Sequence, residues 1–221
     1  MTYEYTTPEK VQAELRLSTA FSGSTIPTLA QVQEWIREES EEINSLSQRI
    51  WGSTTYTDEL VDYDGQAIVA LKHAPIISIA SVEYNLASLG RPADWVAKTE
   101  ELDYDFYKDS GDLIINFNNW SPLVGRKRFR VTYVAGFNPV PLNVQKLCSK
   151  MVALRVVESA VGNNVSEGAL GGAVSIGGVN VNVASDVGVG SYTNLRNEVS
   201  RLQERIVGSG VMRYGSWYSI V

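Results

Sequence analysis

The sequence predicts an α+β fold: a helical body, holding a long acidic helix and a buried central helix, is interrupted by a small antiparallel β module and followed by a C-terminal hairpin, helix and extended tail. Three observations predict it. Apolar residues recur at helical spacing over residues 29–50 and 142–161, whereas between Tyr56 and Val134 the period drops to two. Residues 163–190 hold seven glycines, seven valines, no aromatic residue and only two charges, Glu167 and Asp186, so they cannot form a core of their own.

The first helix is expected from Thr7, a capping residue, through Pro8 in the first turn to about Leu17, with Val11, Leu15 and Leu17 apolar. After a small polar linker, Thr28 and Gln31 make a capping box for a second helix over about Leu29 to Ile50. Val32, Trp35, Ile36, Ile43, Leu46 and Ile50 share its apolar side, and Glu34, Glu38, Glu41 and Glu42 face away. Strands are expected at Leu60 to Tyr63, Ala67 to Lys72, Ile76 to Tyr84, Tyr104 to Tyr107, Leu113 to Phe117 and Phe129 to Val134. Asp64–Gly65 and Asp109–Ser110–Gly111 supply tight turns between them. Pro139 and Pro141 then lead into a helix from Leu142 to Val161, apolar on most sides and therefore central.

Beyond it, Gly177 and Gly178 suit the turn of a two-residue hairpin. That register sets Ile176 opposite Val179 and Val174 opposite Val181, so these four and Val183 share a face. An isolated hairpin is marginal, so the face needs a cover, from its own sheet or from a neighbouring copy. A last helix over Thr193 to Val207 carries the stripe Leu195, Val199, Leu202 and Ile206, too short to stand alone. The aromatic tail with Met212, Tyr214, Trp217, Tyr218 and Ile220 needs a partner surface. Residues 1–162 thus read as a core with a β module at about 56–134, and residues 163–221 as a C-terminal arm.

At 221 residues with 44% hydrophobic content, a conventional core is available without disulfides. The single cysteine, Cys148, lies inside the third helix and reads as a buried thiol in a reducing compartment. The start, Met1 to Tyr5, has neither the basic nor the apolar part of a secretory signal, and no run reaches the length of a membrane span, so no membrane partner is expected. Net charge is −6, from 19 basic and 25 acidic residues. Residues 1–64 carry 4 basic and 12 acidic groups, against 7 and 5 in residues 135–221. An acidic chain lacks the counterion-release drive for duplex binding, which argues against nucleic acid as its main ligand.

No catalytic, cofactor or metal constellation is evident. The one histidine, His73, ends a strand beside Pro75, and no nucleophile motif accompanies it. Asp103, Asp105, Asp109 and Asp112 resemble an oxygen-ligand loop in spacing, but Tyr107 and Lys108 occupy positions where that pattern needs a ligand and a glycine. Gly168 to Gly172 is glycine-rich without a following Lys and Ser/Thr, so it is not read as a phosphate cradle. Arg126, Lys127, Arg128 and Arg130 form the one basic cluster; strand alternation sets Arg126, Arg128 and Arg130 on one face and Phe129 on the other, readable as a solvated strand face or as contact with an acidic partner, including the acidic helix of a second copy.

The order of segments is itself a signal. A short helix, a long acidic helix ending in Trp51, the strand Pro75 to Tyr84, and then Arg130-Val-Thr-Tyr-Val-Ala-Gly-Phe-Asn-Pro-Val-Pro141 running into a buried helix together resemble the head-tail connector, or adaptor, family of tailed bacteriophages. The resemblance spans about the first 160 residues. It implies no catalysis and no cofactor. It implies a virion protein, made in the host cytoplasm, that joins other copies in a ring, usually dodecameric, beneath the portal protein. DNA would be only passing cargo in its channel, and a further connector protein would follow on the tail side. It also implies docking of C-terminal segments on the portal, which suits the stripe and tail. The β module is larger than in compact, nearly all-helical members. A different reading is a ligand- or carbohydrate-binding β module of a tail or receptor-binding assembly, which requires exposed aromatic residues.

Overall fold

The computed structural model describes residues 3–87, 91–118, 120, 122–162, 173–176, 179–182 and 189–211. The elements in chain order are α1 (Pro8–Glu14), α2 (Leu29–Ser47), β1 (Thr54–Tyr63), β2 (Ile68–Ala70), β3 (Ile76–Asn85), β4 (Trp95–Lys98), β5 (Tyr104–Tyr107), β6 (Asp112–Ile115), β7 (Gly125–Ala135), α3 (Leu142–Gly162), β8 (Ala173–Ile176), β9 (Val179–Asn182) and α4 (Val189–Val211). The fold is mixed α+β, with antiparallel sheets. The chain divides into a helical unit, Met1–Arg49 with Val140–Val221, and a β unit, Ile50–Pro139.

In the helical unit the Thr28 capping box forms as expected: the Gln31 N–H donates to Thr28 Oγ1 at 3.3 Å, and the Thr28 N–H donates to Gln31 Oε1 at 2.9 Å. Val32, Ile36 and Ile43 are buried on the inner face of α2, each contributing about 1.5–3 kcal/mol of apolar burial. The helix ends at Ser47, short of Ile50, because Gln48 takes a left-handed conformation, with its N–H donating to the Ser45 carbonyl and the Arg49 N–H to the Asn44 carbonyl. The periodic reading errs at two further places. Leu46 is exposed, whereas Glu39 and Ser40 are buried, since both have polar partners. Glu39 meets Arg155 of α3 at 3.2 Å, and Ser40 Oγ donates to the Ile36 carbonyl while accepting the Tyr5 N–H.

Helix α3 is apolar nearly all round, with Val144, Leu147, Cys148, Val152, Ala153, Val156 and Val157 buried. The Cys148 thiol is pushed up to about 11 by burial, so it stays protonated and unreactive. Polar contacts fix its neighbours: Thr6 and Ser149 hydroxyls lie 2.5 Å apart, and Tyr5 Oη donates to Asn44 at 2.6 Å. Strands β8 and β9 pair with Val174 opposite Val181 and Ile176 opposite Val179, the register the sequence predicts, and β8 runs beside α3. Gly177, Gly178, Val183 and the Gly168–Gly172 run lie outside the described residues.

The β unit holds a four-stranded sheet, β1-β7-β3-β4, and a three-stranded sheet, β2-β6-β5. Both bury one face in a common core around Tyr84, Phe129, Val131, Tyr133, Val82 and Leu113. Strand β7 shows why: Phe129, Val131, Tyr133 and Ala135 alternate inward with half-buried residues between them. Strand β4 was not expected from the sequence, because the four residues Trp95–Lys98 lack a sustained alternation. Gly65 and Gly111 take positive φ at the two turns the sequence marks. Asp58, also at positive φ, sits in an irregularity of β1 between Tyr56 and Glu59.

Candidate docking surfaces

The α4 stripe is divided by its packing. Val199 and Ile206 are buried within the helical unit, where α4 packs on α3 and α2, while Leu195 and Leu202 are half-buried. The helix is also held by charge. Lys150 of α3 pairs with Glu198 of α4 at 2.7 Å and with Glu14 of α1 at 3.1 Å. Burial opposes the Lys150 charge, but its two carboxylate partners outweigh it and hold the ammonium above its ordinary value. The same hydrogen bond holds the Glu198 carboxyl below the usual carboxylate range. Met212, Tyr214, Trp217, Tyr218 and Ile220 lie outside the described residues.

The basic cluster is likewise divided, but not as strand alternation alone would divide it, because the strand is irregular at Lys127, which takes a positive φ. Arg128 Nη1 donates to the carbonyls of Asn85 and Ala87 at 3.0 and 2.8 Å. Arg130 meets Glu83 at 2.5 Å, with its guanidinium 4.7 Å from the centre of the Trp95 ring. Both arginines serve the β unit itself. Arg126 and Lys127 are exposed and make no ion pair among the described residues. On α2, Arg37 pairs with Glu4 and Glu34, and Arg155 pairs with Glu38 and Glu39, which leaves Glu41 and Glu42 as exposed carboxylates without an ion pair among the described residues.

No catalytic arrangement gathers around His73. Its ring lies flat on Tyr56, centroids 3.8 Å apart at 7°, and Tyr56 in turn stacks on Tyr133 at 5.4 Å. Burial lowers the His73 pKa, against the opposing pull of Glu59. Tyr133 Oη donates to Glu59 at 2.8 Å, and burial pushes its phenol far above the ordinary range, so it acts as a fixed donor. Asp103 is spent on the turn: its carboxylate accepts the Thr99 N–H and its carbonyl accepts the Trp120 indole N–H. Among the described residues no group of three or more His, Cys, Asp or Glu side chains is placed to hold a metal ion. None of the described helices is long and apolar enough to cross a membrane.

One shallow open cleft, about 530 Å³, is lined by Glu101, Tyr104, Asp105, Ile114, Phe117 and Asn118 among others. Phe117 is 46% exposed beside it, and Tyr107 is 60% exposed on β5.

The joint ahead of α3 was not visible as such in the sequence. Gly136 at φ +115° comes so close to the Gly52 carbonyl that a Cβ there would overlap it, and Phe137 stacks on Trp51 with centroids 5.7 Å apart. The Phe137 N–H donates to the Trp51 carbonyl at 3.1 Å, and the Gly136 N–H to Pro75 at 2.9 Å. The run Ala135-Gly136-Phe137 was the available signal; its partners Gly52 and Trp51 are more than 80 residues away.

No protein-family model matches the chain, and no curated protein matches it. Among solved structures, it is similar to a chain in the neck of an empty GTA particle with C6 symmetry: TM-score 0.50, 15% identity, covering 90% of this chain and 86% of that one. At that identity the likeness defines a common fold. It overlaps more loosely with a chain of the virion of a native gene transfer agent (GTA) particle, at 16% identity and TM-score 0.46 over 73% of this chain and 79% of that one. A third, from the neck of the native particle with C12 symmetry, has 14% identity and TM-score 0.38 over 91% and 94%. Scores below 0.5 do not define a common fold.

Proposed function

We propose that this chain is a structural protein of a phage-like virion neck, which assembles with copies of itself into a ring at the head-tail junction. In this reading the ring docks on a portal protein, meets a further connector on the tail side, and extends the channel through which DNA passes. The carrying observation is the fold shared over 90% of the chain with a component of a particle neck. The segment order that resembles the adaptor family supports the same reading independently. An acidic chain also suits a channel, because a wall that repels phosphate lets DNA slide.

Within this reading the arm, residues 163–221, supplies contacts. The tail residues Met212, Tyr214, Trp217, Tyr218 and Ile220, with the half-buried Leu195 and Leu202 of α4, engage the portal; burial of Val199 and Ile206 in the helical unit makes α4 the anchored base of that element. The hairpin face of Val174, Ile176, Val179, Val181 and Val183 is covered by an adjacent subunit. Ordering such short contact elements is costly, so the ring closes on the portal, and at micromolar concentration the free chain is largely monomeric or only weakly associating. Electron microscopy of the purified chain with and without its cognate portal tests this: rings seated on portal support it, and an absence of any complex overturns it.

A carbohydrate-binding reading has one observation in its favour, the half-exposed Phe117 beside the Asp105–Asn118 cleft. Binding to a glycan panel that Phe117→Ala abolishes would establish it.

A further inference from the structure

We infer that the tip of the β unit at Leu123–Lys127 is a docking surface for α2 of a second copy of this chain. The inference rests on the ring reading and specifies which surfaces meet. Leu123 and Val124 are 63% and 62% exposed, yet neither is a frayed loop residue. The Leu123 N–H donates to Tyr84 Oη at 2.6 Å, and the same hydroxyl lies 3.3 Å from the Leu123 carbonyl, so a buried tyrosine fixes the backbone from both sides. Val124 rests against Gly65, and the Lys127 N–H is held by the Asp62 carboxylate at 2.7 Å. Two large apolar side chains and two cations are therefore presented on an ordered backbone with nothing of their own chain over them among the described residues. Pre-organisation of that kind lowers the entropy cost of binding.

The complement is on the same chain. Glu41 and Glu42 are the α2 carboxylates that neither Arg37 nor Arg155 takes up, and Leu46, 42% exposed, follows Glu42 by one helical turn. Apolar residues beside two cations on one surface thus match an apolar residue beside two carboxylates on the other. The two surfaces differ, so the contact is heterologous: each copy offers its tip to the next and its α2 to the previous one, and such contacts close into rings when the rotation allows. Charge pairing at the edge of an apolar contact fixes register and speeds encounter, and it weakens with salt.

The test uses two charge-reversed full-length chains, Arg126→Glu with Lys127→Glu, and Glu41→Lys with Glu42→Lys, checked for folding by circular dichroism and followed by sedimentation equilibrium at low salt. Each variant alone is expected to associate at least about tenfold more weakly than the wild type, and their equimolar mixture to recover association, because only the mixture restores opposite charges across the contact. Variants that associate like the wild type, or a mixture no better than its components, overturn the inference. So does a wild type that stays monomeric to about 1 mM, the weakest association that such a contact supports. Loss of duplex DNA binding in the Arg126/Lys127 variant with unchanged self-association also overturns it, assigning the cations to nucleic acid. On the portal the two readings separate: a wild type that forms no ring sinks the ring reading, whereas a ring formed equally by both variants sinks this contact alone.

Discussion

Gly136 and Gly52 lie backbone against backbone, close enough that a side chain on Gly136 would occupy the space of the Gly52 carbonyl oxygen. The contact joins the end of β7 to the start of β1, with the Trp51–Phe137 stack beside it. Two penalties fall on Gly136→Ala together, a backbone φ of +115° that L residues avoid and a clash with a backbone atom that cannot rotate away. The substitution is expected to cost at least about 3 kcal/mol. Gly23, which has open space around its Cβ position, is the control and should tolerate alanine. Urea denaturation of both variants checks this, and equal midpoints would refute the account of the joint.

His73 sets a pH dependence whose sign follows from its lowered pKa. Partial burial, with the Lys72 charge, favours the neutral ring, so its contribution to stability is complete above the ordinary value of 6.5 and is lost as pH falls through the lower folded value. Glu59 opposes the shift but does not reverse it. His73→Phe keeps a flat ring on Tyr56 without a titrating group. Melting temperatures between pH 7.5 and 5 should fall more for the wild type than for this variant. Parallel curves would show that His73 does not titrate differently in the folded chain.

Lys150 and Val199 both hold α4, and their magnitudes differ. Lys150→Met removes two ion pairs whose carboxylates, Glu14 and Glu198, remain accessible to water, so the expected cost is about 1 kcal/mol. Val199→Asp places an unpaired charge at a buried position and is expected to cost about 3 kcal/mol or more. Hydrogen exchange should show α4 opening locally in the first variant, with α2 and α3 still protected, and much more completely in the second. A chain indifferent to Val199→Asp would mean that α4 is not packed on the helical unit in solution.

Local rules made much of this architecture readable. The capping box of Thr28 and Gln31, the alternation from Phe129 to Ala135 and the pairing of Val174 with Val181 each depend on residues close in sequence or on a fixed register. What escaped depends on distant partners. Glu39 and Ser40 are buried because Arg155 and Tyr5 reach them from more than 30 residues away, and helical periodicity cannot foresee a polar residue that has found a partner. The basic run shows the same limit: alternation puts Arg126, Arg128 and Arg130 on one face, but the strand is irregular at Lys127, and only the positions of Asn85, Ala87 and Glu83 show that Arg128 and Arg130 are consumed within the β unit while Arg126 is left exposed beside Lys127. The role proposed for the tail rests on composition and resemblance.

Truncation after Val211 tests the proposed role of that tail with the least disturbance of the fold. The cut preserves α4 with its buried Val199 and Ile206 and with the Lys150–Glu198 pair, so it removes no packing described in the helical unit. Aromatic and large apolar residues dominate interface energies, and Met212, Tyr214, Trp217, Tyr218 and Ile220 place five such groups in ten residues. If they engage the portal, the truncated chain keeps its thermal transition within about 2 °C and loses portal binding by at least about a hundredfold, the loss of two well-packed anchors. If instead the tail folds back on its own chain, the melting temperature drops by roughly 4 °C or more while portal affinity, corrected for the folded fraction, is unchanged. Portal titrations alongside thermal scans of the same preparations separate the two. A truncated chain with unchanged portal affinity removes the tail from the docking element whatever its stability.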